Sequence, residues 1–425
     1  MFETIRNAWK VVELRKKIIF TILMLLVYRL GSCIPTPGVD IAVVRSFMEK
    51  GASVFGMLDI ITGGNFSNFT VLALGVTPYI TASIIVQLLT VAIPALEKLQ
   101  KEGDEGRKKM NQYTRYGSIV FAFVQGLVML ISMGPNAVAG GASGGFPMVI
   151  SYITVCLTLT AGTALVMWLG DQITAFGIGN GISMMIFAGI VARLPIQFYK
   201  FFQNVVAGFV NPWLILPAAV GILLIVALVV FVDVSERRIP IQYAKRMVGR
   251  KMYGGQSTHL PMKLNSSGVL PLIFAVNFVS FPGMIIGFLK DSAFKVWYTT
   301  HFSANGIWYN LIFMLLIFAF TFFYASISFN AHNIADNLKQ HGGFVPGIRP
   351  GSATAEYLQR ISNRITFVGA LFLAFLAAVP IMASNFLGIS GFGATSILIL
   401  VSVALETSKQ IESQLLMRHY KGFLR

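Results

Sequence analysis

Apolar runs about 20 residues long follow one another along almost the whole chain of 425 residues. A helix of that length crosses a hydrocarbon core about 30 Å thick. The mean hydropathy is +0.72 and charged residues make up 12% of the chain, whereas a soluble domain carries about 25%. Stretches such as 215–232 and 311–323 lack the polar face that a helix of a soluble protein needs. The sequence therefore predicts an all-α, polytopic membrane protein.

Glycines, prolines and charged segments separate the apolar runs into ten predicted spans. These spans are 18–34, 69–93, 116–133, 148–169, 178–195, 213–232, 268–289, 306–329, 365–384 and 393–408. Lysine and arginine in the connecting segments then set the orientation. With a cytoplasmic N-terminus, 26 of the 33 basic residues fall on the cytoplasmic side, six fall on the other side, and Arg29 lies inside the first span. Both termini are therefore expected in the cytoplasm.

This distribution explains the formal charge of +16 as membrane topology, with no need for a nucleic-acid-binding role. No small-residue cleavage site follows the first apolar run, so we expect a retained first helix in place of a signal peptide. The two cysteines, Cys33 and Cys156, lie in or beside apolar segments and suggest neither a disulfide framework nor a metal site.

Three function classes fit a chain of this kind: an ion-coupled secondary transporter of a small solute, a passive conduit, and a membrane scaffold without a pore. A transporter usually buries ionisable groups near the bilayer midplane. Here Arg29 lies in the outer third of its span, and Asp171, Asp233 and Glu406 lie at cytoplasmic span ends. No catalytic residue, cofactor site or metal site is predicted. The sequence favours a non-enzymatic conduit.

A short apolar helix is predicted at about 54–62, in the external segment after the first span. Gly63 and Gly64 end it, and its length is too small to cross the bilayer. It is expected either to plug a cavity from outside or to lie on the membrane surface. Its apolar side chains are Val54, Phe55, Met57, Leu58, Ile60 and Ile61.

Six motifs occur in order along the chain. They are Ile34-Pro-x-Pro37-Gly38-Val39-Asp40, Met57-Leu58-Asp59 with Gly63-Gly64, Gly75-Val-Thr-Pro78-Tyr79-Ile80-Thr-Ala-Ser83, Gly177-Ile-Gly-Asn180-Gly181-Ile182-Ser183, Met252-Tyr-Gly-Gly-Gln256-Ser257-Thr258-His259-Leu260-Pro261 and Pro346-Gly347-Ile348-Arg349-Pro350-Gly351. Together they resemble the SecY/Sec61-alpha family, the channel-forming subunits of the Sec protein translocase.

The resemblance implies two inverted pseudo-symmetric halves, 1–205 and 206–425, around a central hourglass pore. It implies a channel that translocates unfolded polypeptides and releases hydrophobic segments laterally into the bacterial cytoplasmic membrane. The helix at 54–62 then becomes the plug. Matching the motifs gives a pore ring of six aliphatic residues, namely Val76, Ile80, Ile182, Ile186, Ile273 and Ile399. The first two pairs are spaced i, i+4, so each pair shares one helical face.

The resemblance also implies a lateral gate between spans two and seven, where Gln87 and Asn277 could hydrogen-bond across the seam. The two long cytoplasmic loops, 233–268 and 331–361, are expected to dock the SecA motor and the ribosome, including its RNA. Arg349 is the residue predicted to couple the motor. The broader basic surface comprises Arg237, Arg238, Lys245, Arg246, Arg250 and Lys251. Further implied partners are SecE, SecG, precursor polypeptides and lipid.

Overall fold

The computed structural model of the chain describes most of its length. The described residues are 2–50, 59, 62–138, 145–208, 213, 215–243, 246–248, 251–253, 257–265, 268–287, 293–302, 306–387 and 394–422. The predicted plug residues Val54, Phe55, Met57, Leu58, Ile60 and Ile61 lie outside them, as do Lys245 and Arg250.

Helices account for most of the described chain. They are α1 (Phe2–Lys10), α2 (Val12–Gly31), α3 (Ile41–Lys50), α4 (Thr77–Ala92), α5 (Pro94–Lys101), α6 (Asp104–Met133), α7 (Gly145–Phe176), α8 (Gly181–Val206), α9 (Ile215–Val234), α10 (Leu270–Gly287), α11 (Ala293–His301), α12 (Ile307–Ser328), α13 (Ala331–Gln340), α14 (Ser352–Leu387) and α15 (Ala394–Gly422). The strands are β1 (Glu236–Tyr243), β2 (Arg246–Val248), β3 (Lys251–Tyr253), β4 (Ser257–Lys263) and β5 (Gly343–Phe344).

Each of the ten predicted spans coincides with one helix, in the order α2, α4, α6, α7, α8, α9, α10, α12, α14 and α15. Among the described residues, six helices are long and apolar enough to cross a membrane, or seven if α4 and α5, which are bent by 107° at their junction, form one span. The remaining spans are shorter, as in α10, or carry charged residues along part of the helix, as in α2 and α15. The multi-pass helical architecture is confirmed.

The predicted boundaries were wrong at several spans. The second span begins only at Thr77, where 69 was predicted, because Gly75 adopts φ +53° and residues 62–76 form turns. Pro78 then occupies the first turn of α4, a position where its missing N–H has no helical partner to lose. By contrast α6, α14 and α15 extend beyond their apolar runs, because polar helix can continue into water.

Helix contacts fall into two groups. In the first, α4 packs on α6, α6 on α7, and α7 on α8, while α2 contacts both α7 and α8. In the second, α10 packs on α12, α12 on α14, α14 on α15, and α9 on α15. The groups meet where α8 contacts α15 and where α10 contacts α4 and α6. The chain therefore has two seams, one between spans five and ten and one between spans two and seven.

The two long loops, 233–268 and 331–361, fold together. Strand β1 pairs antiparallel with β4 and also with β5, so that Gln242 lies opposite Phe344 across the loops. A shared core lies beneath the sheet, formed by Ile239, Met262, Ala331, Val345, Leu358 and Ile361. Two segments treated as separate protrusions in the sequence are thus one small domain.

Candidate functional site

The six predicted ring residues lie together. Five of them are buried within one large apolar cluster and are at most 6% exposed, and Ile182 is partly buried against the same cluster. They come from four helices that belong to both contact groups: α4, α8, α10 and α15. Residues separated by more than 300 positions in the chain therefore contribute to one buried apolar cluster.

Each ring residue lies at or near the start of its helix. Val76 is the N-cap of α4, and its carbonyl accepts the first helical hydrogen bond from Ile80 N–H at 3.0 Å. In α8, the Asn180 side chain accepts hydrogen bonds from the N–H groups of Ile182 and Ser183 at 3.1 and 3.3 Å. Such capping fixes the first turn. The first turns of α4 and α8, which carry four of the six ring residues or lie next to them, therefore have a defined backbone geometry.

A cavity of about 510 Å³ lies beside three of the predicted ring residues. Ile186, Ile273 and Ile399 line it, and its wall continues along α15 as far as Ser413. With a rise of 1.5 Å per residue, that wall is about 21 Å long. The rest of the lining is largely polar and includes Asn180, Ser183, Lys263, Tyr324, Glu406 and Gln410. Aliphatic ring residues and polar side chains therefore share one cavity.

Asp233, at the end of α9, forms hydrogen bonds to three other residues that line the cavity. Its carboxylate accepts hydrogen bonds from Asn265 Nδ2 at 2.8 Å and from Ser402 Oγ at 2.5 Å. The Lys409 ammonium donates to the main-chain carbonyl of the same aspartate at 3.2 Å. This group joins α9, the segment before α10, and α15. The sequence shows Asp233 only as a charge at a span end, and nothing in its spacing predicts these partners.

The turn at 62–69 rests against α2 and α8. The Asp59 carboxylate forms an ion pair with Arg193 of α8, with 2.6 Å between Oδ2 and Nη1, and its Oδ1 accepts from Ser67 N–H at 2.8 Å. From α2, the Tyr28 hydroxyl accepts from Asn65 Nδ2 at 3.3 Å. We call this arrangement the outer seat; it comprises Asp59, residues 62–69, Tyr28, Arg29 and Arg193.

Glycines allow the turn to approach the helix closely. Gly63 has φ +71°, and a Cβ built on it would lie 2.6 Å from Gly189 Cα of α8. Arg29 donates to the Ala188 carbonyl on the same helix. The seat is therefore a contact of backbone against backbone with two arginines beside it. Sequence reasoning assigned neither arginine to a site, although an arginine inside a span is itself a signal.

Comparison with known proteins decides the family. The family model described as SecY matches residues 70–408. Curated proteins named "Protein translocase subunit SecY" match over all of both chains, at 47% identity in Halalkalibacterium halodurans, 45% in Bacillus licheniformis and 44% in Aquifex aeolicus. The chain belongs to the SecY family.

Solved structures of the SecY/Sec61 type share the fold. A structure described as "The structure of a protein conducting channel" has a TM-score of 0.66 and 19% identity, covering 94% of this chain and 92% of that one. Sec61 in a canine ribosome-channel complex has a TM-score of 0.62 and 18% identity, with the same coverage. Both likenesses extend across the two contact groups of this SecY-family chain.

The lateral gate expected of a SecY channel differs from the prediction in its polar contacts. Helices α4 and α10 do touch. However, Gln87 Nε2 donates to Ser83 Oγ at 3.4 Å and Asn277 Nδ2 donates to the Ile273 carbonyl at 2.8 Å, so each side chain bonds within its own helix. Gln87 Oε1 is buried without a hydrogen-bond partner. In place of the predicted bond between α4 and α10, each side chain bonds to a residue one turn earlier on its own helix.

The described residues among those predicted to dock partners lie on the small domain formed by the loops 233–268 and 331–361. Arg237 and Arg238 are exposed on β1, and Arg238 pairs with Glu236 at 2.8 Å. Arg246 and Lys251 belong to β2 and β3. Arg349 is exposed in the turn between β5 and α14, between Gly347 at φ +81° and Gly351 at φ +104°. Its carbonyl accepts from Thr354 Oγ1 at 2.8 Å, which fixes the backbone of the turn.

Proposed function

We propose that this chain is the channel-forming subunit of a bacterial protein translocase. It passes unfolded polypeptides across the cytoplasmic membrane and releases hydrophobic segments sideways into lipid, with both of its termini in the cytoplasm. The observation that carries the proposal is the meeting of aliphatic residues from four helices beside a partly polar cavity. Membership of the SecY family supports a channel over the ion-coupled transporter.

Aliphatic side chains suit such a constriction for two reasons. They offer no hydrogen bond to water or ions, so a narrow ring of them favours dewetting and resists leakage. Their dispersion contacts have no preferred direction, so they adapt to whatever side chain passes. A polypeptide of arbitrary sequence can therefore cross a ring of Val76, Ile80, Ile182, Ile186, Ile273 and Ile399 without a binding site that would trap it.

The plug is proposed to be the segment at 54–62. A solved structure of the same fold is described as showing that the plug domain of SecY stabilises the closed state and maintains a membrane seal. In this chain the residues that follow the segment, 62–69, are tied to α2 and α8 by the outer seat. These contacts, together with the role described for the plug domain in that structure, support the assignment.

The energy for transport is proposed to come from partners at the small cytoplasmic domain. Its exposed arginines suit a soluble motor such as SecA or the phosphates of ribosomal RNA. Related folds have been solved bound to ribosomes, including Sec61 and yeast Ssh1. SecE and SecG are the proposed membrane partners, and Arg349 is the proposed motor-coupling residue. Its flanking residues restrict the backbone and so present the guanidinium in a defined direction.

Site-specific crosslinking of an arrested precursor tests the channel. In a Cys33→Ser/Cys156→Ala background, single cysteines replace Ile80, Ile186 or Ile399, and the precursor carries a crosslinker in its mature region. We expect adducts at all three positions. Leu157→Cys is the matched control, because Leu157 lies on α7 and is 56% exposed on the outside of the helix bundle. Equal labelling at Leu157→Cys, or none at the ring, would exclude translocation through this constriction.

A further inference from the structure

We propose that Asp233 is a positioning residue for the ring: its hydrogen bonds fix the stretches of chain that carry Ile273 and Ile399. This inference rests on the proposed function, since it concerns how the ring is kept closed. Asp233 lies one residue before the end of α9 and lines the same cavity as Ile273 and Ile399. The ring helices are α4, α8, α10 and α15, so Asp233 acts on the ring from a helix outside it.

The Asp233 carboxylate uses each of its oxygens on a different segment. Oδ1 accepts from Asn265 Nδ2 at 2.8 Å, in the segment before α10, and Oδ2 accepts from Ser402 Oγ of α15 at 2.5 Å. The Lys409 ammonium, about two turns further along α15, donates to the Asp233 main-chain carbonyl at 3.2 Å. Hydrogen bonds to a carboxylate are shorter and stronger than those between neutral groups. One side chain therefore holds two ring-bearing segments at once.

Both contacts lie close to ring residues along the chain. Ser402 follows Ile399 by three positions, so the two side chains lie on one face of α15. Asn265 comes shortly before α10, and Ile273 belongs to the first turn of that helix, where its N–H donates to the Val269 carbonyl at 3.2 Å. Displacing either contact would therefore displace the ring residue beside it.

Asp233 is itself anchored by the strands that follow α9. Strand β1 pairs antiparallel with β4. At the end of this ladder, the Leu264 N–H donates to the Ser235 carbonyl at 3.0 Å, and the side-chain bond from Asn265 to Asp233 comes next along both segments. Because that bond continues the ladder, the carboxylate has a fixed place from which to hold α15 and the start of α10.

Burial makes these hydrogen bonds costly to lose. Asn265 is 9% exposed and Ser402 is 7% exposed, and Asn265 Oδ1 already has no hydrogen-bond partner among the described residues. Without the Asp233 carboxylate, Asn265 Nδ2 would lose its acceptor as well, and an unsatisfied buried donor is unfavourable. The arrangement that satisfies both donors is therefore favoured, and its loss would shift the population of channels toward a displaced ring.

Resting ion conductance of the purified translocon in planar bilayers tests this role. Asp233→Ala is expected to raise the leak about tenfold, because two buried donors lose their acceptor. Asp233→Asn should keep the leak within about twofold of the parent channel, because its amide oxygen can accept from Asn265 while its Nδ2 donates to the Ser402 hydroxyl oxygen. Both substitutions remove the charge, so an equal rise in the two variants would assign the effect to charge in the cavity and overturn the positioning role.

Asp171→Ala is the matched control. Asp171 also joins two helices, through an ion pair with Arg115 at 2.6 Å, but these helices, α7 and α6, carry no ring residue. The leak of this variant should stay at the parent level. A rise equal to that of Asp233→Ala would mean that any loosening of the helix bundle opens the channel, and Asp233 would then have no special role.

Ser402→Ala is a milder variant that removes one donor and leaves the bond to Asn265 in place. It should raise the leak about threefold, and adding it to Asp233→Ala should change nothing further, because the two residues act through one contact. A leak at the parent level in Ser402→Ala, or single effects that multiply in the double variant, would overturn the positioning role. If too little Asp233→Ala protein assembles for measurement, Ser402→Ala alone decides.

Ile80→Asn, measured in the same bilayers, separates this role from the ring itself. It introduces a polar group into the ring on α4, which Asp233 does not contact. If Ile80→Asn leaves the leak unchanged, the ring assignment fails and the proposed function fails with it. If Ile80→Asn raises the leak and Asp233→Ala does not, only the positioning role fails.

Discussion

Helix α8 contributes to both the ring and the outer seat, and the two regions hold together in different ways. Ile182 and Ile186 pack near its start, and Arg193 follows seven residues later, about 10 Å along the helix. In the ring the contacts are dispersion between buried aliphatic groups. In the seat they are an ion pair, directed hydrogen bonds and a glycine contact.

Because the contacts differ in kind, the ring and the seat should respond differently to substitution. Non-directional packing tolerates side chains of similar volume and fails when polarity is introduced. Directed contacts are lost when a substitution removes or displaces one donor or acceptor, because its buried partner is then left unsatisfied. If the ring is an adaptable seal and the seat is held by directed contacts, the two regions should tolerate opposite kinds of substitution.

The largest effect is expected in the ring. Ile80→Asn places an amide without hydrogen-bond partners among aliphatic side chains, which costs about 2 kcal/mol and corresponds to roughly a 30-fold rise in resting leak. Export of precursors with defective signal sequences should also rise. Planar-bilayer conductance measures the first effect and an export assay the second.

Ile80→Val is the control for this variant. It keeps the polarity and removes one methylene group, at about 1 kcal/mol, so its leak should stay within several-fold of the parent channel. A leak at Ile80→Val as large as that at Ile80→Asn would mean that shape, and not polarity, sets the seal.

The seat should show the opposite tolerance. Gly63→Ala adds only one methyl group, yet it meets the backbone of Gly189 and strains a residue at φ +71°. A left-handed conformation costs an alanine about 1–2 kcal/mol, so we expect about a tenfold rise in leak. Gly208→Ala is the control for the strain, because Gly208, just after α8, has φ +78° and open space around it. Equal leak in the two variants would remove the contact with Gly189 from the explanation.

Charge reversal at Arg349 should change neither the ring nor the outer seat. Arg349→Glu is expected to slow motor-driven export about fivefold, because one docking charge contributes about 1 kcal/mol, while the resting leak stays unchanged. Arg360→Glu is the control on the exposed face of the adjoining helix α14. Reconstituted export with a constant leak measurement tests this, and a change in leak would show that the cytoplasmic domain is coupled to the closures.

The smallest effect is expected at the gate. Gln87 carries a buried, unpartnered Oε1 and makes only a 3.4 Å bond to Ser83, so Gln87→Leu removes an unfavourable group. Interhelical polar bonds average about 0.6 kcal/mol in membranes; we therefore expect about a twofold drop in export of precursors with weak signal sequences. Increased export would mean that the Gln87 amide stabilises the closed gate, as a bond across the seam between α4 and α10 would.

Much of the fold could be read from local pattern. The existence and order of the ten spans follow from apolar length, since lipid requires every spanning segment to satisfy its own backbone. Their ends were less predictable, as at Thr77, because a turn packed inside the protein is as apolar as a helix in lipid. The ring assignments rest on motifs, and the sequence offers no local reason to prefer Ile399 over Ile397 or Leu398; in the structure Ile399 lines the cavity.

The sequence by itself determined a multi-span chain and its family, because apolar length and ordered motifs are properties of neighbouring positions. Only the tertiary structure decided which side chains meet. It joined the loops 233–268 and 331–361 through β1, β4 and β5, gave Gln87 and Asn277 hydrogen-bond partners within their own helices, and paired Asp59 with Arg193. Such pairings depend on packing between segments distant in the chain, and no local spacing encodes them.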